Sequence, residues 1–258
     1  MAVSLDLSGR RALVTGAGQG VGAAVAALLA EAGATVAVND LVADRAEQQT
    51  ATLRDAGGDA VAAPFDVTDF DHVIEAVGEL GRIDILVNNA GNAGADGWPG
   101  MVNFADTSPA DWHKFINVNL FGVMNCVRAA LPSMIEGGWG RIVTIISDAS
   151  RVGEPKMAAY AAAKAGAAGL TRAVSKEVGR HGVTANNISL GTMRTPLSEA
   201  SWVDAGPDEV AARLRGYPIR RPGLPDDAAA LVGYLVSPAA SWITGQTIPL
   251  NGGYSVAL

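Results

Sequence analysis

The chain has 258 residues, a formal net charge of −7 and a pI near 4.9, which argues against a nucleic-acid or anionic-membrane surface. Hydrophobic residues make up 49% and charged residues 17%, a mix that suits one large domain with much buried helix and sheet and no need of covalent staples. Cys126 is the only cysteine and His72, His113 and His181 are scattered, which excludes a disulfide framework and leaves no expected metal site.

Residues 11–15 read as a short apolar strand that opens into Gly16-Ala-Gly18-Gln-Gly20-Val-Gly22. A helix over 21–32, closed by Gly33, and a strand over 35–39 ending at Asp40 complete a βαβ unit. The alternation continues with a helix over 43–56, a strand over 60–65 and a helix over 69–80. A strand over 83–87 runs into Asn88-Asn89-Ala90-Gly91. Residues 108–134 read as helical with Pro109 in the first turn, 141–146 as a strand, 157–181 as a helix and 183–189 as a strand. Residues 191–224 break the rhythm: they are rich in Gly, Pro and Arg, with short helical pieces near 197–204 and 207–214. An irregular stretch of that length in a compact domain reads as a substrate-binding lid. A helix over 226–236 and a strand over 246–250 finish the pattern. Apolar, non-alternating strands separated by helices imply a single α/β domain over 1–258, a doubly wound parallel sheet with helices on both faces. Residues 1–7 carry Asp6 and no long apolar run, and no uncharged apolar stretch reaches membrane-spanning length, so neither a signal peptide nor a span is expected. A soluble cytoplasmic protein is the expectation.

An open parallel sheet binds ligands beyond the carboxyl ends of its strands. Gly16, Asp40, Asp66, Asn88, Ser147 and Gly191 all fall just after predicted strands. The glycine turn suits a dinucleotide pyrophosphate, held by backbone N–H groups and the positive end of the following helix. Asp40 stands near the place where an acidic residue binds the adenosine ribose hydroxyls and would repel a 2′-phosphate. Asp44 adds a second negative charge before Arg45 appears, so NAD is expected over NADP. Plainer alternatives exist: Asp40 as a helix cap, Asp66 as a cap with Thr68, Asn119 as a helix-bending polar residue and Ser147 as a strand-end cap. Tyr160 and Lys164 lie four residues apart on one face of an alanine-rich helix. An ammonium beside a phenol lowers the tyrosine pKa from about 10 towards working pH and makes Tyr160 a proton donor and acceptor. A snorkelling lysine beside a core tyrosine has the same spacing.

Thr15-Gly16-x-x-x-Gly20-x-Gly22, Asn88-Asn89-Ala90-Gly91, Asn119, Ser147, Tyr160 and Lys164 together resemble the short-chain dehydrogenase/reductase family, over about residues 7–254. The resemblance implies a Rossmann-type fold and a nicotinamide cofactor. It assigns Ser147 to the substrate oxygen, Tyr160 to proton transfer, Lys164 to the tyrosine pKa and the nicotinamide ribose, and Asn119 to a water that links Lys164 to solvent. Cofactor contacts would come from Gly16, Gln19, Gly20, Val21 and Gly22 in the turn and from Asp40 and Leu41 at the ribose. Asp66 and Val67 would meet adenine, and Asn89, Ala90 and Gly91 would lie under the cofactor. Gly191, Met193 and Thr195 complete the set, with Thr195 at the carboxamide.

One departure matters: the family's usual proline before Gly191 is Leu190 here, which puts the local backbone in question. The spacing Gly16, Gly20, Gly22 also differs from the common G-x-G-x-x-G dinucleotide fingerprint. Ser147-Asp-Ala-Ser-Arg-Val-Gly153 resembles alicyclic hydroxyacyl-CoA dehydrogenases of the family. Arg151 is expected to pair with Glu154 or Asp148 rather than meet an anionic substrate. The loop 92–102, with Trp98, is expected to border the pocket. Met193, Leu197, Trp202 and Leu214, mixed with Arg194, Arg213, Arg215, Arg220 and Arg221, suggest a bulky apolar carbonyl substrate, a CoA thioester among the options, with a solvated arginine surface as the alternative. The expected function is an NAD-dependent oxidoreductase interconverting a secondary alcohol and a ketone on a 3-oxoacyl or cyclic hydroxyacyl thioester. A sterol or a sugar or polyol is the alternative substrate, and a non-catalytic NAD-binding sensor the rival outside enzymes. The resemblance also implies a homotetramer built partly on helices 115–134 and 157–181, with no nucleic-acid or membrane partner.

Overall fold

The computed structural model describes residues 5–91 and 102–256. Seven parallel strands form one sheet: β1 (Arg11–Val14), β2 (Thr35–Val38), β3 (Asp59–Ala62), β4 (Ile85–Asn88), β5 (Gly140–Ser147), β6 (Val183–Leu190) and β7 (Thr247–Leu250), in the order β3-β2-β1-β4-β5-β6-β7. The helices between them are α1 (Gly20–Glu31), α2 (Ala43–Asp55), α3 (Phe70–Leu80), α4 (Pro109–Ile116), α5 (Gly122–Glu136), α6 (Ala149–Val152), α7 (Ala158–Val178), α8 (Glu199–Val203), α9 (Pro207–Arg213) and α10 (Pro225–Val236).

Successive side chains of a strand point to opposite faces, so a strand covered on both faces must be apolar throughout. Val14, Val36, Val38, Ile85, Val87 and Ile188 join Val25 and Leu29 of α1 and Val232 and Leu235 of α10 in one core. Leu13, Ala37, Leu86, Ile142 and Ile146 join Val73 of α3, Val127 and Met134 of α5 and Val174 of α7 in the other. That is the physical reason why the sequence of β1, RALV, and of β2, TVAV, shows no polar alternation. β1 pairs with β2 on one side and with β4 on the other. The winding therefore reverses between β1 and β4, and their carboxyl ends open the crevice that binds ligands in such sheets.

Most expected elements are present with ends moved by one to three residues. The stretch expected as one helix over 108–134 is α4, a π-helical turn at Asn117–Phe121, and α5. As a whole, Pro109–Glu136 is long and apolar enough to cross a membrane. Here its Val123, Cys126, Val127, Ala130 and Met134 are buried in the core it shares with α3 and the sheet. The short α6, directly after Ser147, has no counterpart in the sequence reading; it stops at Gly153, whose φ of 79° ends a helical turn. Leu190 is the last residue of β6, paired with Ser147 and Leu250, so the strand is regular where the family carries proline. In the 191–224 segment Trp202, Leu214 and Tyr217 form a small core of their own, against which Tyr254 packs. Of the loop 92–102, residues 92–101 with Trp98 lie outside the described residues.

Candidate active site

The glycine turn is shaped by close approach. Gly16 and Gly20 have φ of 61° and 59°, a region that side chains rarely adopt. A Cβ at Gly22 would lie 2.3 Å from the Gly16 carbonyl oxygen and 2.5 Å from Asn89 Nδ2, and one at Gly16 would lie 2.9 Å from Ala90 Cα. The twelve-residue α1 starts without a side-chain cap at Gln19 and without an acidic residue in its first turn. Its positive end and orphan N–H groups therefore suit a phosphate. The cradle fits the pyrophosphate of a dinucleotide. Val21 follows in the first turn, and the Cα of Gly20 faces Thr195, whose Cβ would be 3.7 Å from an added Cβ.

Two residues that the sequence reading did not single out for a role hold this frame. The hydroxyl of Thr15 accepts the N–H groups of Asn89 at 3.1 Å and Ala90 at 3.0 Å, while Asn89 Nδ2 donates to the carbonyls of Thr15 and Gly16. Asn39 Nδ2 donates to the carbonyls of Ala63 and Phe65, both at 3.0 Å, and its Oδ1 accepts the Gly16 N–H. Their signal in the sequence is a polar residue closing an otherwise apolar strand. It was visible, but a strand end alone does not say what the residue holds.

Asp40 departs from expectation in its surroundings. It is 4% exposed. Its Oδ1 accepts the Val42 N–H at 3.0 Å and two guanidinium donors of Arg45, at 3.1 and 2.7 Å, and its Oδ2 accepts the Gly18 N–H at 3.3 Å. Arg45, which the sequence reading set aside as arriving too late, is folded back by the first turn of α2 and pairs with this carboxylate. Leu41 beside it is 69% exposed. Asp66 Oδ1 accepts the Thr68 N–H and hydroxyl, both at 2.8 Å, but it is not the helix cap of the plainer alternative: the cap of α3 is Asp69, whose side chain accepts the His72 N–H at 3.1 Å, and Asp66 holds the turn before it. Val67 is buried against Gly122, and its carbonyl accepts from Asn125 at 2.9 Å.

The second cluster lies at the end of β5. Lys164, one turn beyond Tyr160 on α7, is 5% exposed and donates to the Ile145 carbonyl at 2.9 Å. The Ser147 hydroxyl hydrogen-bonds the half-buried Tyr160 phenol and accepts the Ala149 N–H at 3.2 Å. Phe115 packs edge-on against the Tyr160 ring with centroids 6.3 Å apart. The fully buried Asn119 sits in the π-helical turn and donates to the Phe115 carbonyl at 2.9 Å; such turns concentrate at functional sites. A Cβ at Gly91 would lie 2.8 Å from Asn119 Oδ1 and 3.1 Å from Lys164 Nζ. Gly91, Asn119 and Lys164 thus converge on one point, with Tyr160 and Ser147 alongside.

The electrostatics correct one expectation. Burial pushes Lys164 down to about 8. The ammonium stands 5.9 Å from the centre of the Tyr160 ring and spends a hydrogen bond on Ile145. Burial raises the phenol above its ordinary value, and the Ser147 hydrogen bond opposes that only in part. The tyrosine pKa is raised, not lowered.

Around the 191–224 segment, Gly191 is packed on Asn251, whose Cα would be 2.9 Å from an added Cβ, and Met193 bridges to Gly223. Four of the five arginines there are engaged, and Arg215 is exposed. Arg194 pairs with Glu199 and Arg213 with Glu209, both at 2.5 Å, Arg221 pairs with Asp227 at 2.6 Å, and Arg220 donates to the Leu214 and Arg215 carbonyls. Arg151 pairs with Asp148 at 2.9 Å, one of the two partners expected, while Glu154 accepts from Tyr254.

Known proteins share this architecture. Residues 16–255 match the family described as Enoyl-(Acyl carrier protein) reductase. The chain is 38% identical over 251 residues to the cis-4-hydroxycyclohexanecarboxylate dehydrogenase of Sinomonas cyclohexanicum, covering 95% of this chain and 96% of that one. It is 35% identical over 254 residues to the 7alpha-hydroxysteroid dehydrogenase of Escherichia coli K12, covering 97% and 96%. Among solved structures, a gluconate 5-dehydrogenase from Burkholderia cenocepacia in complex with NADP and tartrate superposes with a TM-score of 0.89 at 36% identity, covering 99% and 98%. A 7alpha-hydroxysteroid dehydrogenase complexed with NADH and 7-oxo glycochenodeoxycholic acid gives 0.87 at 35% identity, covering 97% and 96%. Identity at this level over nearly the full length of each chain, on the same sheet, is descent rather than shared packing alone: the chain belongs to the short-chain dehydrogenase/reductase family of oxidoreductases.

Proposed function

We propose that the protein is an NAD(H)-dependent oxidoreductase that interconverts a secondary alcohol and a ketone, with Tyr160 as general acid and base. The observation that carries this reading is the convergence of Ser147, Tyr160, Lys164 and Asn119 at the end of β5, next to the uncapped start of α1. The cofactor, when bound, supplies the hydride. The turn from Gly16 to Gly22 and the N-terminus of α1 hold its pyrophosphate, and Asp40 Oδ2 takes the adenosine ribose hydroxyls. Asn89, Ala90 and Gly91 floor the site, and Gly191, Met193 and Thr195 wall it on the far side.

In reduction, Ser147 orients the carbonyl oxygen and Tyr160 delivers its proton to that oxygen. A raised phenol pKa keeps Tyr160 protonated at neutral pH, the state that reduction needs. Oxidation needs the phenolate and gains as pH rises. Lys164 binds the nicotinamide ribose, and its ammonium offsets charge on the phenolate. Asn119 holds the water through which Lys164 exchanges protons with solvent.

The substrate reading is a bulky, largely apolar cyclic or acyl carbonyl under the 191–224 lid. The relatives named for hydroxysteroid and hydroxycyclohexanecarboxylate, both cyclic alcohols, support it. The motive for a CoA contact narrows to the exposed Arg215, since Arg194, Arg213 and Arg221 are paired within the segment. The gluconate dehydrogenase likeness keeps a polyol as the second reading. We also propose a cytoplasmic homotetramer, supported by the exposed apolar residues Phe121 and Met124 on the helical span that precedes β5; sedimentation measures it. The function is tested by a panel of alicyclic ketones, 3-oxoacyl thioesters and keto-sugars, each with NADH and NADPH, followed by cofactor absorbance. Turnover is expected on alicyclic ketones with NADH. Absence of turnover across the panel would remove the enzyme reading in favour of a nucleotide sensor.

A further inference from the structure

Asp148 follows Ser147 and has no part in the reaction just described, yet it is 2% exposed and its carboxylate is saturated. Oδ1 accepts from the Ser189 hydroxyl at 2.8 Å and from Arg151 at 2.9 Å. Oδ2 accepts from Asn251 Nδ2 at 2.6 Å and from the Ser255 hydroxyl at 2.7 Å. Burial pushes this carboxyl up, but the hydrogen bonds from Ser255, Asn251, Ser189 and Arg151 outweigh it and hold the group below the usual carboxylate range. Only a carboxylate offers four acceptor positions and no donor; an amide in its place turns an N–H towards the donors.

The four donors come from β6, from α6 and from the segment 251–255 beyond β7. That segment touches both sides of the site. On the serine side, Arg151 also donates to the Ser255 hydroxyl at 2.9 Å, and the Tyr254 hydroxyl donates to Glu154 at 2.5 Å. On the cofactor side, Asn251 lies against Gly191, and the Tyr254 ring stacks on Tyr217 with centroids 4.8 Å apart. The Tyr217 hydroxyl in turn accepts the Thr192 N–H at 3.0 Å. Residues 251–255 are thus a strap across the two walls of the site, and Asp148 is its anchor.

We propose that Asp148 is a positioning residue: its carboxylate anchors the 251–255 strap and thereby sets where the Ser147 hydroxyl stands relative to Tyr160 and to the Gly191–Thr195 wall. The proposal rests on the roles given above to Ser147 and Tyr160. A knot of buried hydrogen bonds that serves stability alone makes a different prediction. The Ser147 hydrogen bond is what lowers the Tyr160 pKa against the effect of burial. If Asp148 places Ser147, loosening the anchor weakens that bond and Tyr160 titrates higher. Among the described residues, Lys164 is the charged group beside Tyr160, and Arg151 and Glu154 are those beside the strap; the variants below leave all three in place.

The test compares Asp148→Asn, Ser255→Ala and Ser255→Thr in the full chain with a ketone and alcohol pair that the wild type turns over. The readouts are kcat, the pH profile of kcat/KM for oxidation, the NADH Kd by fluorescence titration, and Tm. Small misplacements of reacting groups cost up to about a hundredfold, so Asp148→Asn is expected to lower kcat by about tenfold or more, with NADH Kd within about twofold of wild type. The pH midpoint of oxidation rises in Asp148→Asn, rises less in Ser255→Ala, and returns to the wild-type value in Ser255→Thr, which restores the hydroxyl. A lowered Tm with unchanged kcat and unchanged midpoint in both Asp148→Asn and Ser255→Ala would overturn the proposal. Should Asp148→Asn not fold, Ser255→Ala, a single hydroxyl removed, decides. Failure of the underlying reading is separable: an active Tyr160→Phe sinks the role of Tyr160, whereas an inactive Tyr160→Phe with an unmoved midpoint in the strap variants sinks only the anchor.

Discussion

Asp40→Asn tests the NAD assignment at the point where the fold changed its electrostatics. Two unit charges about 4 Å apart at an effective dielectric near 20 interact by roughly 4 kcal/mol. A bare Asp40 would disfavour a 2′-phosphate on that order. Arg45, however, stands 2.7 Å from Asp40 Oδ1 with a side chain 41% exposed, and at comparable range its attraction to the phosphate is of similar size and opposite sign. On the proposed assignment the remaining preference for NADH would be on the order of 1.4 kcal/mol, about tenfold, carried by Oδ2, whose one hydrogen-bond partner among the described residues is the Gly18 N–H at 3.3 Å. Removing the carboxylate charge leaves Arg45 uncompensated. NADPH should therefore bind about tenfold or more tightly in Asp40→Asn while NADH weakens modestly, and the NADPH gain should shrink at high salt. Arg45→Gln should move the ratio the other way, towards NADH. The assay is a fluorescence titration of each cofactor against each variant, with kcat/KM ratios alongside. A wild-type kcat/KM for NADPH equal to or above that for NADH shows the assignment to be wrong. A lower Tm with an unchanged cofactor ratio in Asp40→Asn would reduce Asp40 to a structural cap.

Tyr160→Phe should cost about a hundred- to ten-thousandfold in turnover, the range of general acid–base catalysis, and leave NADH Kd near wild type; retention of a tenth of the rate would take Tyr160 out of its role. Lys164→Met should weaken cofactor binding and turnover while raising Tm at pH 7 by a few degrees. The sign follows from a lysine whose pKa falls from 10.5 to about 8 on folding: the cost of burying its charge is fully present below pH 8 and fades as pH rises towards 10.5. A Tm gain that does not shrink between pH 8 and 10.5 contradicts that account. Gly22→Ala places a Cβ 2.3 Å from the Gly16 carbonyl oxygen, a backbone atom that cannot turn aside. It should lower Tm and weaken NADH binding by about tenfold or more, since the cradle and the start of α1 must separate. A wild-type Kd would show that the turn does not hold the cofactor.

The layered sheet, the glycine turn and the Tyr160–Lys164 spacing were legible from residues alone because each depends on local rules. Two-faced burial makes β1 and β2 apolar throughout, positive φ and close approach ask for Gly16, Gly20 and Gly22, and a helix stacks residues four apart. What stayed hidden depends on which donors reach a given charge, and those donors come from segments far apart in the chain. Arg45 folds back onto Asp40 only through the entry angle of α2. The Tyr160 pKa rises because burial, which no local pattern measures, outweighs an ammonium that is turned towards Ile145. Four arginines of the 191–224 segment look like a substrate surface until Arg194, Arg213 and Arg221 meet carboxylates and Arg220 meets carbonyls. The Asp148 anchor draws on residues 151, 189, 251 and 255, which are brought together only when β5, β6 and β7 line up in register. Hydrogen-bond partners and desolvation are properties of the assembled walls, and they settle the protonation states on which the chemistry runs.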